Sequence, residues 1–341
     1  MRREQGVTVP DLDLVAVTGA EGFIGSHLTE ALVARGHRVR AMVLYNSFND
    51  WGWLETLPAD VMANVEVVPG DVRDSGSVLA FCRGAEVVYH LAALIAIPYS
   101  YQAPRSYLDT NAAGTLNVLE AARALGTGRV VHTSTSEVYG TARTVPISEE
   151  HPLQGQSPYS ASKIAADKLA EAYGLSFATP VVTMRPFNTY GPRQSARAVI
   201  PTVISQVAAG ATQIKLGDLT PTRDFTYAAD TAEAFVAVGT APAEKVIGQV
   251  FNGGTGRDIS VADLVTAIGA LMGREVEPVL DTQRVRPPGS EVRRLLADPG
   301  KLEALTGWRA QVSLEEGLRR TAAWFQEPLN LARYKTDRYN V

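Results

Sequence analysis

Short apolar runs alternate with helical repeats through the first half of the chain. The runs have the length and the continuous apolar character of strands that are buried on both faces of a sheet. They occupy residues 14–17, 39–44, 65–68, 87–91 and 130–133. Apolar residues at helical spacing follow the first run at Ile24, Leu28 and Leu32, and the same spacing returns over residues 106–125 and 158–173. We therefore expect strands and helices to alternate up to about residue 173.

This alternation predicts the α/β class, with a Rossmann-type doubly wound parallel sheet that carries helices on both faces. Beyond residue 184, proline and glycine divide the pattern into shorter segments. Helical patterns return at 231–239, 261–272 and 314–325, the last one beginning at a capping box of Ser313 and Glu316. We predict a Rossmann domain over residues 1–185 and a smaller C-terminal α/β substrate-binding domain over 186–341, interleaved with the first.

A glycine-rich turn separates the first predicted strand from the first predicted helix. Its glycines are Gly19, Gly22 and Gly25, in the spacing Gly-x-x-Gly-x-x-Gly. Gly19 permits a tight turn, Gly22 lets backbone approach a diphosphate, and Gly25 lets the helix pack closely on the strand. The N–H groups at the start of that helix favour an anion. Glycines alone also suit a plain tight turn, but the strand before them and the helix after them favour dinucleotide binding.

Composition limits the classes of partner and compartment. The chain has 341 residues, 45% of them hydrophobic and 20% charged, and a net charge of −4. This charge gives no electrostatic case for nucleic acid. The single cysteine, Cys82, excludes an intramolecular disulfide and a cysteine-rich zinc site, and we expect no metal. Residues 1–13 lack an apolar signal core and no stretch is long enough to span a membrane, so we expect a soluble cytoplasmic protein without a membrane partner.

Tyr159 and Lys163 lie one helical turn apart in the predicted helix that begins near residue 158. A nearby ammonium favours the phenolate, and we expect it to lower the tyrosine pKa toward the working pH. Tyr159 would then act as a general base on a sugar hydroxyl. A tyrosine and a lysine on the exposed face of an amphipathic helix would give the same pattern, so the pair alone assigns no chemistry.

Further motifs follow the strands in a fixed order, and together they resemble a known family. The chain resembles an extended short-chain dehydrogenase/reductase of the nucleotide-sugar epimerase/dehydratase kind over nearly its whole length. The matching residues are the glycine turn, Asp71-Val72, His90 to Ala93, Asn111, Thr133 to Gly140, Tyr159 with Lys163, Arg185 to Pro192, Arg223 to Tyr227, and Arg286.

The resemblance implies NAD as the cofactor, with Asp71 and Val72 at the adenine and Lys163 at the nicotinamide ribose. The implied cofactor contacts are Gly19, Gly22, Phe23, Ile24, Gly25, Asn46, Asp71, Val72, Leu91, Ala92, Ala93, Asn111, Tyr159 and Lys163.

The resemblance also implies a nucleotide-sugar substrate, and a substrate site in the second half of the chain. Thr135 matches a hydroxyl that bonds the sugar 4-hydroxyl beside Tyr159. Asn188, Arg223 and Arg286 match groups that hold the substrate diphosphate, for which guanidinium forks are well suited. Glu291 is similar to an acid that contacts the nucleotide ribose. Each arginine by itself is also compatible with a surface salt bridge.

Glu137 indicates which reaction follows oxidation of the sugar. Simple 4-epimerases of the family usually carry no carboxylate at this position, whereas dehydratases and decarboxylases do. Once C4 is a ketone, the proton on C5 is acidic and a carboxylate two positions from Thr135 can remove it. Loss of the C6 hydroxyl and return of hydride to C6 would give a 4-keto-6-deoxy sugar. A solvated loop acid is the alternative for Glu137.

The resemblance departs from the dTDP-glucose dehydratases at Ser136. Those enzymes typically read Thr-Asp-Glu, with the Asp protonating the departing hydroxyl, whereas this chain reads Thr135-Ser136-Glu137. The proton must then come through Glu137, from water or from another side chain. The same triplet looks like UDP-glucuronate decarboxylases, which need no acid at C6. Decarboxylation is therefore the first alternative to 4,6-dehydration, and 4-epimerisation is the second.

Three stretches resemble a narrower subgroup of 4,6-dehydratases from legionaminic-acid-type pathways. They are residues 44–53, 194–201 and the tail 334–341. Members of this subgroup act on a nucleotide-linked N-acetylglucosamine, so we predict a UDP- or GDP-linked form of that sugar. The default reading of Trp51 and Trp53 in the first stretch is core packing.

The end of the second strand lacks the acid that usually binds the ribose 2′-hydroxyl of NAD. Val43 or Leu44 stands there, so Asn46 or Ser47 is expected to bind that hydroxyl. Arg38 and Arg40 leave NADP open. NAD is favoured because the resemblance implies a cofactor recycled within one site.

A different class remains open, because a fold does not fix a function. A non-catalytic, cofactor-sensing regulator could share this fold, but such a protein is expected to have lost the tyrosine or the lysine. The resemblance also implies a homodimer, formed through the helices that begin near residues 106 and 158.

Overall fold

The largest sheet of the protein is parallel and has seven strands, in a computed structural model that describes residues 13–335. The strands of the described chain are β1 (Leu14–Thr18), β2 (Arg38–Leu44), β3 (Val65–Gly70), β4 (Val87–His90), β5 (Arg129–Thr133), β6 (Val181–Pro186), β7 (Asn188–Tyr190), β8 (Gln213–Leu216), β9 (Thr222–Tyr227), β10 (Val250–Gly253), β11 (Asp258–Ser260), β12 (Glu277–Leu280) and β13 (Arg294–Leu295).

Helices cover both faces of this sheet and build most of the second half. They are α1 (Phe23–Ala34), α2 (Ala59–Met62), α3 (Ser75–Cys82), α4 (Ile97–Gln102), α5 (Pro104–Tyr107), α6 (Gly114–Leu125), α7 (Pro158–Phe177), α8 (Val199–Ala208), α9 (Ala228–Thr240), α10 (Ala243–Val246), α11 (Val261–Leu271), α12 (Gly300–Thr306), α13 (Leu314–Gln326) and α14 (Pro328–Leu331). A π-helical segment, Leu108–Ala113, joins α5 to α6, and 3₁₀ turns occur at Gly52–Thr56, Ser136–Tyr139, Thr282–Arg284 and Pro288–Ser290.

The strand order of the large sheet is β3-β2-β1-β4-β5-β6-β10. The order reverses between β1 and β4, and every pairing within the sheet is parallel. Side chains of β1 alternate between two cores, with Val15 and Val17 facing the α1 side and Ala16 facing the α3 and α6 side. The predicted Rossmann-type fold is confirmed, and its ligand edge lies at the carboxyl ends of the strands.

Elements from the second half of the chain complete the large sheet. β10 is its outermost strand beside β6, and α9 packs against α1. Phe251, Leu302 and Trp308 belong to the same core as Val17 and the other α1-side residues. The remaining second-half elements form the sheet β11-β9-β13, with β7 paired to β9, and the pair β12-β8. The division at residue 185 stays a prediction.

Two predicted helix features differ in detail. The helix over 106–125 is interrupted by the π-helical segment, which places the Asn111 amide against the backbone of Leu94 and the hydroxyl of Ser162. The capping box predicted at Ser313 is only half formed. Ser313 Oγ accepts the N–H of Glu316 at 3.2 Å, but the Glu316 carboxylate pairs with Arg319 and Arg320.

Candidate active site

Loops at the carboxyl edge of the large sheet carry the first group of predicted site residues. The glycine turn follows β1, Asp71 follows β3, Leu91 follows β4, Thr135 follows β5 and Asn188 follows β6. Because parallel strands end at one edge, these loops converge there. Residues predicted from motifs far apart in the sequence therefore lie together at the carboxyl edge of the sheet.

The glycine turn is closed tightly and leaves the start of α1 open. Gly19 has φ +69°, and a Cβ on it would lie 2.8 Å from Ala92 Cα, so only glycine suits that position. A Cβ on Gly25 would lie 2.1 Å from the carbonyl oxygen of Gly19. Gly22 is the N-cap of α1, and no side chain caps that end, where Phe23 and Ile24 begin the helix. This cradle fits a dinucleotide diphosphate.

The loop after β4 is hydrogen-bonded to Thr18, the residue that precedes the glycine turn. Thr18 Oγ1 accepts the N–H groups of Leu91 and Ala92 at 3.1 Å each and bonds His90 Nδ1 at 2.8 Å. Asn111 is buried beneath this loop, which continues through Ala93. The Asn111 amide is hydrogen-bonded to the backbone of Leu94 and to the hydroxyl of Ser162. These bonds hold the loop in place.

The loop after β3 forms the side predicted for adenine. The Asp71 carboxylate accepts Arg73 Nε at 3.0 Å, and this hydrogen bond lowers the Asp71 pKa. Val72 is buried, and a Cβ on Gly114 would lie 2.8 Å from its side chain, so α6 packs directly behind it. Asn117 Nδ2 donates to the Val72 carbonyl at 2.9 Å, which fixes this turn.

At the end of β2, the Asn46 side chain is engaged by its own loop. Asn46 Oδ1 accepts the N–H groups of Phe48 and Asp50 at 3.1 Å, and Nδ2 donates to the Asp50 carbonyl at 2.8 Å. Glu21, from the glycine turn, reaches the end of β2 instead, where its Oε1 accepts the Leu44 N–H at 2.9 Å. Burial raises the Glu21 pKa, although the Leu44 N–H lowers it.

Tyr159 and Lys163 both lie buried in the first turns of α7, which begins at a capping box of Ser157 and Ser160. Burial raises the Tyr159 pKa, a hydrogen bond with Thr135 lowers it, and the charge of Glu137 raises it. The expected lowering of the Tyr159 pKa is therefore wrong for the chain by itself. Lys163 Nζ donates to the Thr133 carbonyl at 2.6 Å, and burial lowers its pKa to about 8.

Glu137 and the predicted substrate residues form a chain of opposite charges. Arg286 Nη1 lies 3.8 Å from Glu137 Oε1, and Arg286 Nε lies 3.8 Å from Glu291 Oε2. Arg223 Nη2 donates to Glu291 Oε1 at 3.1 Å. The Glu137 side chain is 14% exposed. Four residues predicted from four separate motifs thus lie in one cluster.

Two of the predicted substrate residues carry buried polar atoms without a hydrogen-bond partner. Asn188 Oδ1 and Arg286 Nη1 make no hydrogen bond within the described chain. Such groups are normally satisfied by a ligand or by water, so both point to a bound polar molecule. Ser136 is buried between Thr135 and Glu137 in its 3₁₀ turn.

A buried polar network that sequence reasoning missed lies under Lys163 and centres on Asp167. Its carboxylate accepts His132 Nε2 at 3.0 Å, Ser134 Oγ at 2.8 Å and Arg185 Nη2 at 2.9 Å. The charge of Asp167 also raises the pKa of Lys163. Asp167 follows Lys163 by four residues and Tyr159 by eight, so helical spacing in the sequence was the signal that could have identified it.

The described residues were searched for a metal-binding cluster and for a membrane-spanning helix. No group of His, Cys, Asp and Glu among residues 13–335 is arranged to hold a metal ion. No helix in that range is long and apolar enough to cross a membrane. Cys82 is a free, buried thiol.

Known proteins match the chain along most of its length. The family model for GDP-mannose 4,6 dehydratase matches residues 16–321. A UDP-glucose 4-epimerase from Mycolicibacterium smegmatis is 36% identical, over 91% of this chain and 97% of its own. A UDP-N-acetyl-alpha-D-glucosaminuronate decarboxylase from Bacillus cytotoxicus is 33% identical, over 91% and 97%.

The fold also matches a solved dehydratase. The dTDP-glucose 4,6-dehydratase DesIV from Streptomyces venezuelae, solved with NAD and TYD bound, superposes with a TM-score of 0.83. It is 30% identical, over 94% of this chain and 99% of its own.

Proposed function

Because this chain belongs to the GDP-mannose 4,6 dehydratase family of nucleotide-sugar dehydratases and epimerases, we propose that it is an NAD-dependent nucleotide-sugar 4,6-dehydratase. The family includes dehydratases, epimerases and decarboxylases, so the residues of the site must choose among them. The observation that carries the proposal is the position of Glu137, which lies 3.8 Å from Arg286 in the substrate cluster and whose charge raises the Tyr159 pKa.

Tyr159 must be the phenolate to receive the proton of the sugar 4-hydroxyl in this proposal, and the positive charges of Lys163 and of a bound nicotinamide would favour that form. Thr135 hydrogen-bonds the phenol and orients the hydroxyl, while Lys163 holds the nicotinamide ribose. The glycine turn and Lys163 would hold a bound NAD, which would supply the hydride acceptor for C4 and the hydride donor for C6, so no net change of cofactor is expected. The NAD-bound dehydratase of the same fold supports this choice of cofactor.

Glu137 removes the C5 proton once C4 is a ketone. The carboxylate is two residues from Thr135, on the same 3₁₀ turn, so both act at adjacent carbons of one sugar. The C6 hydroxyl then leaves with a proton as water, hydride adds at C6 and a proton returns to C5, so the sugar loses one water in all. Glu137 or a water molecule supplies the proton that leaves with the hydroxyl, because Ser136 is a poor acid.

The sugar, the assembly and the domain division belong to the same proposal. The resemblance to the legionaminic-type subgroup favours a UDP- or GDP-linked N-acetylglucosamine. We place the homodimer contact on the helices α6 and α7, where Leu175 and Phe177 are exposed apolar side chains. The oligomeric state in solution, with Leu175→Glu as the disrupting variant, tests the contact.

The decisive experiment uses the purified protein and UDP- or GDP-N-acetylglucosamine. We expect a product lighter by one water, with a 4-keto group by NMR and no net NADH. Glu137→Gln should reduce bound NAD transiently and release no water, whereas Glu150→Gln, at an exposed acid nearby, should turn over normally. Unchanged turnover in Glu137→Gln would refute Glu137 as the base.

Decarboxylation is the second candidate, because Ser136 stands where the dehydratases typically carry an acid and a decarboxylase relative is 33% identical. Carbon dioxide released from UDP-glucuronate would establish it. An inverted 4-hydroxyl as the sole change would establish an epimerase. The regulator hypothesis is disfavoured because Tyr159, Lys163, Thr135 and Glu137 are all present.

A further inference from the structure

The carboxyl end of β2 offers no acid of its own to a dinucleotide. NAD-binding folds of this topology place an Asp or Glu there, where it accepts the adenosine ribose hydroxyl. In this chain Val43 is buried and Leu44 is an exposed apolar residue. The nearest polar substitute on the strand side, Asn46, has its amide bonded to its own loop. A carboxylate acceptor would therefore have to come from another element of the fold.

Glu21 brings a carboxylate to this place from the glycine turn. One oxygen, Oε1, accepts the N–H of Leu44, the last residue of β2, at 2.9 Å. The other oxygen, Oε2, is buried and makes no hydrogen bond in the described chain. A buried carboxylate oxygen without a donor is costly, and a ligand hydroxyl would satisfy it.

The backbone of Glu21 is fixed by the loop that follows β2. Its carbonyl accepts the Trp53 N–H at 3.0 Å. Gly52 has φ +59°, and a Cβ on it would lie 2.7 Å from the same carbonyl oxygen. The carboxylate is thus held at a set position between the glycine turn and the end of β2.

Arg38 and Arg40, whose charges would suit the phosphate of NADP, do not lie at the carboxyl end of β2. Arg40 is engaged elsewhere, because its Nε bonds Glu66 at 2.9 Å and its Nη1 bonds the carbonyls of Phe81 and Arg83. Arg38 begins β2, about 20 Å of strand from Leu44. Arg73 is paired with Asp71. A 2′-phosphate would therefore meet the negative charge of Glu21.

We propose that Glu21 is the acceptor for the adenosine ribose hydroxyls and the residue that selects NAD over NADP. The carboxylate bonds a ribose hydroxyl through Oε2 and repels a phosphate at the same position. The inference rests on the dinucleotide binding of the proposed function and is independent of the sugar chemistry.

The test is equilibrium binding of NADH and NADPH to the purified protein, followed by tryptophan-to-nicotinamide energy transfer. Glu21→Gln keeps an oxygen for the Leu44 N–H but removes the charge. We expect it to weaken NADH binding roughly tenfold and to narrow the NADH/NADPH preference by at least that factor. Glu21→Asp, which retains the charge, should keep NADPH weak.

The matched control is Glu55→Gln, because Glu55 also accepts a backbone N–H, that of Trp51 at 3.1 Å, in the neighbouring turn. It should leave both affinities unchanged. Chromatography of the nucleotide released by acid from each protein gives a second readout. An unchanged preference in a folded Glu21→Gln protein would overturn the proposal, as would a wild-type preference for NADPH. Neither result bears on which sugar product the dehydratase assay finds.

Discussion

The guanidinium of Arg286 lies 3.8 Å from the carboxylate of Glu137. The residue proposed to bind the substrate diphosphate is thus paired with the residue proposed as the base. The same arginine also lies 3.8 Å from Glu291. A substrate diphosphate carries more negative charge than either acid and would compete for the guanidinium. Substrate binding would then free Glu137 for the C5 proton.

Arg286→Gln should therefore affect binding more than chemistry. We expect KM for the nucleotide sugar to rise roughly tenfold to hundredfold, with a smaller fall in kcat, because a charged hydrogen bond to the diphosphate is lost. Steady-state kinetics check this. Arg293→Gln is the control, because Arg293 is 63% exposed and its ion-pair partner is Asp218 instead of Glu137 or Glu291. A fall in kcat without a change in KM would contradict the assignment.

Lys163 sets a second prediction, on the alkaline side of the pH profile. Burial lowers its pKa to about 8, and in the proposed function its charged form holds a ribose hydroxyl. Activity should fall as pH rises through about 8. Asp167→Asn removes a charge that raises the Lys163 pKa, so its alkaline limb should lie at lower pH. Asp167→Glu should return the alkaline limb to its wild-type pH. If the limb does not move in Asp167→Asn, the Asp167 charge does not set the Lys163 pKa.

Asp167→Asn should also lower the free energy of unfolding. It leaves Arg185, which is 5% exposed, without its carboxylate partner, at a cost of about 3–5 kcal/mol. Urea denaturation measures this cost. Asp263→Asn, at an exposed helix start, is expected to change stability by less than about 1 kcal/mol.

Gly25→Ala tests the closure of the glycine turn. The new Cβ would lie 2.1 Å from the Gly19 carbonyl oxygen, a backbone atom that cannot turn aside. We expect a loss of about 1–3 kcal/mol of stability and of NADH binding, because the turn must open. Gly76→Ala in α3, whose Cβ would meet only Asp74 Oδ1 at 3.4 Å, should be neutral or stabilising.

The three stretches that resemble the narrower subgroup meet in space. Trp53 stacks on Tyr334 with ring centroids 6.2 Å apart, and the Tyr334 hydroxyl donates to the Gln194 carbonyl at 2.9 Å. Tyr334→Ala should lower stability and weaken NADH binding, because Trp53 holds the backbone of Glu21. Tyr334→Phe should keep the ring contact and most of the affinity. Residues 336–341 of the tail lie outside the described range.

The sequence predicted the sheet and the places of Glu137 and the glycine turn, because each directly follows a strand, and it predicted that Tyr159 lies in a helix, because the helical spacing there is local. It did not identify Glu21 as a partner of β2, since that contact joins residues 23 apart through a hydrogen bond. Asn111 was predicted as a cofactor contact, whereas in the structure its amide oxygen accepts the Leu94 N–H, a contact that the sequence did not indicate. Such contacts depend on tertiary packing, which no local pattern encodes.

The interleaving of the two halves has a consequence for synthesis on the ribosome. Trp308 packs into the core around β1 and α1, so this core lacks part of its cover until residues beyond 308 have emerged from the exit tunnel. A nascent chain that stops after the glycine turn, β5 and α7 still exposes the apolar surface later covered by Phe251 and Leu302. Gene fragments ending near residue 185 should therefore yield aggregates rather than an independently folding module.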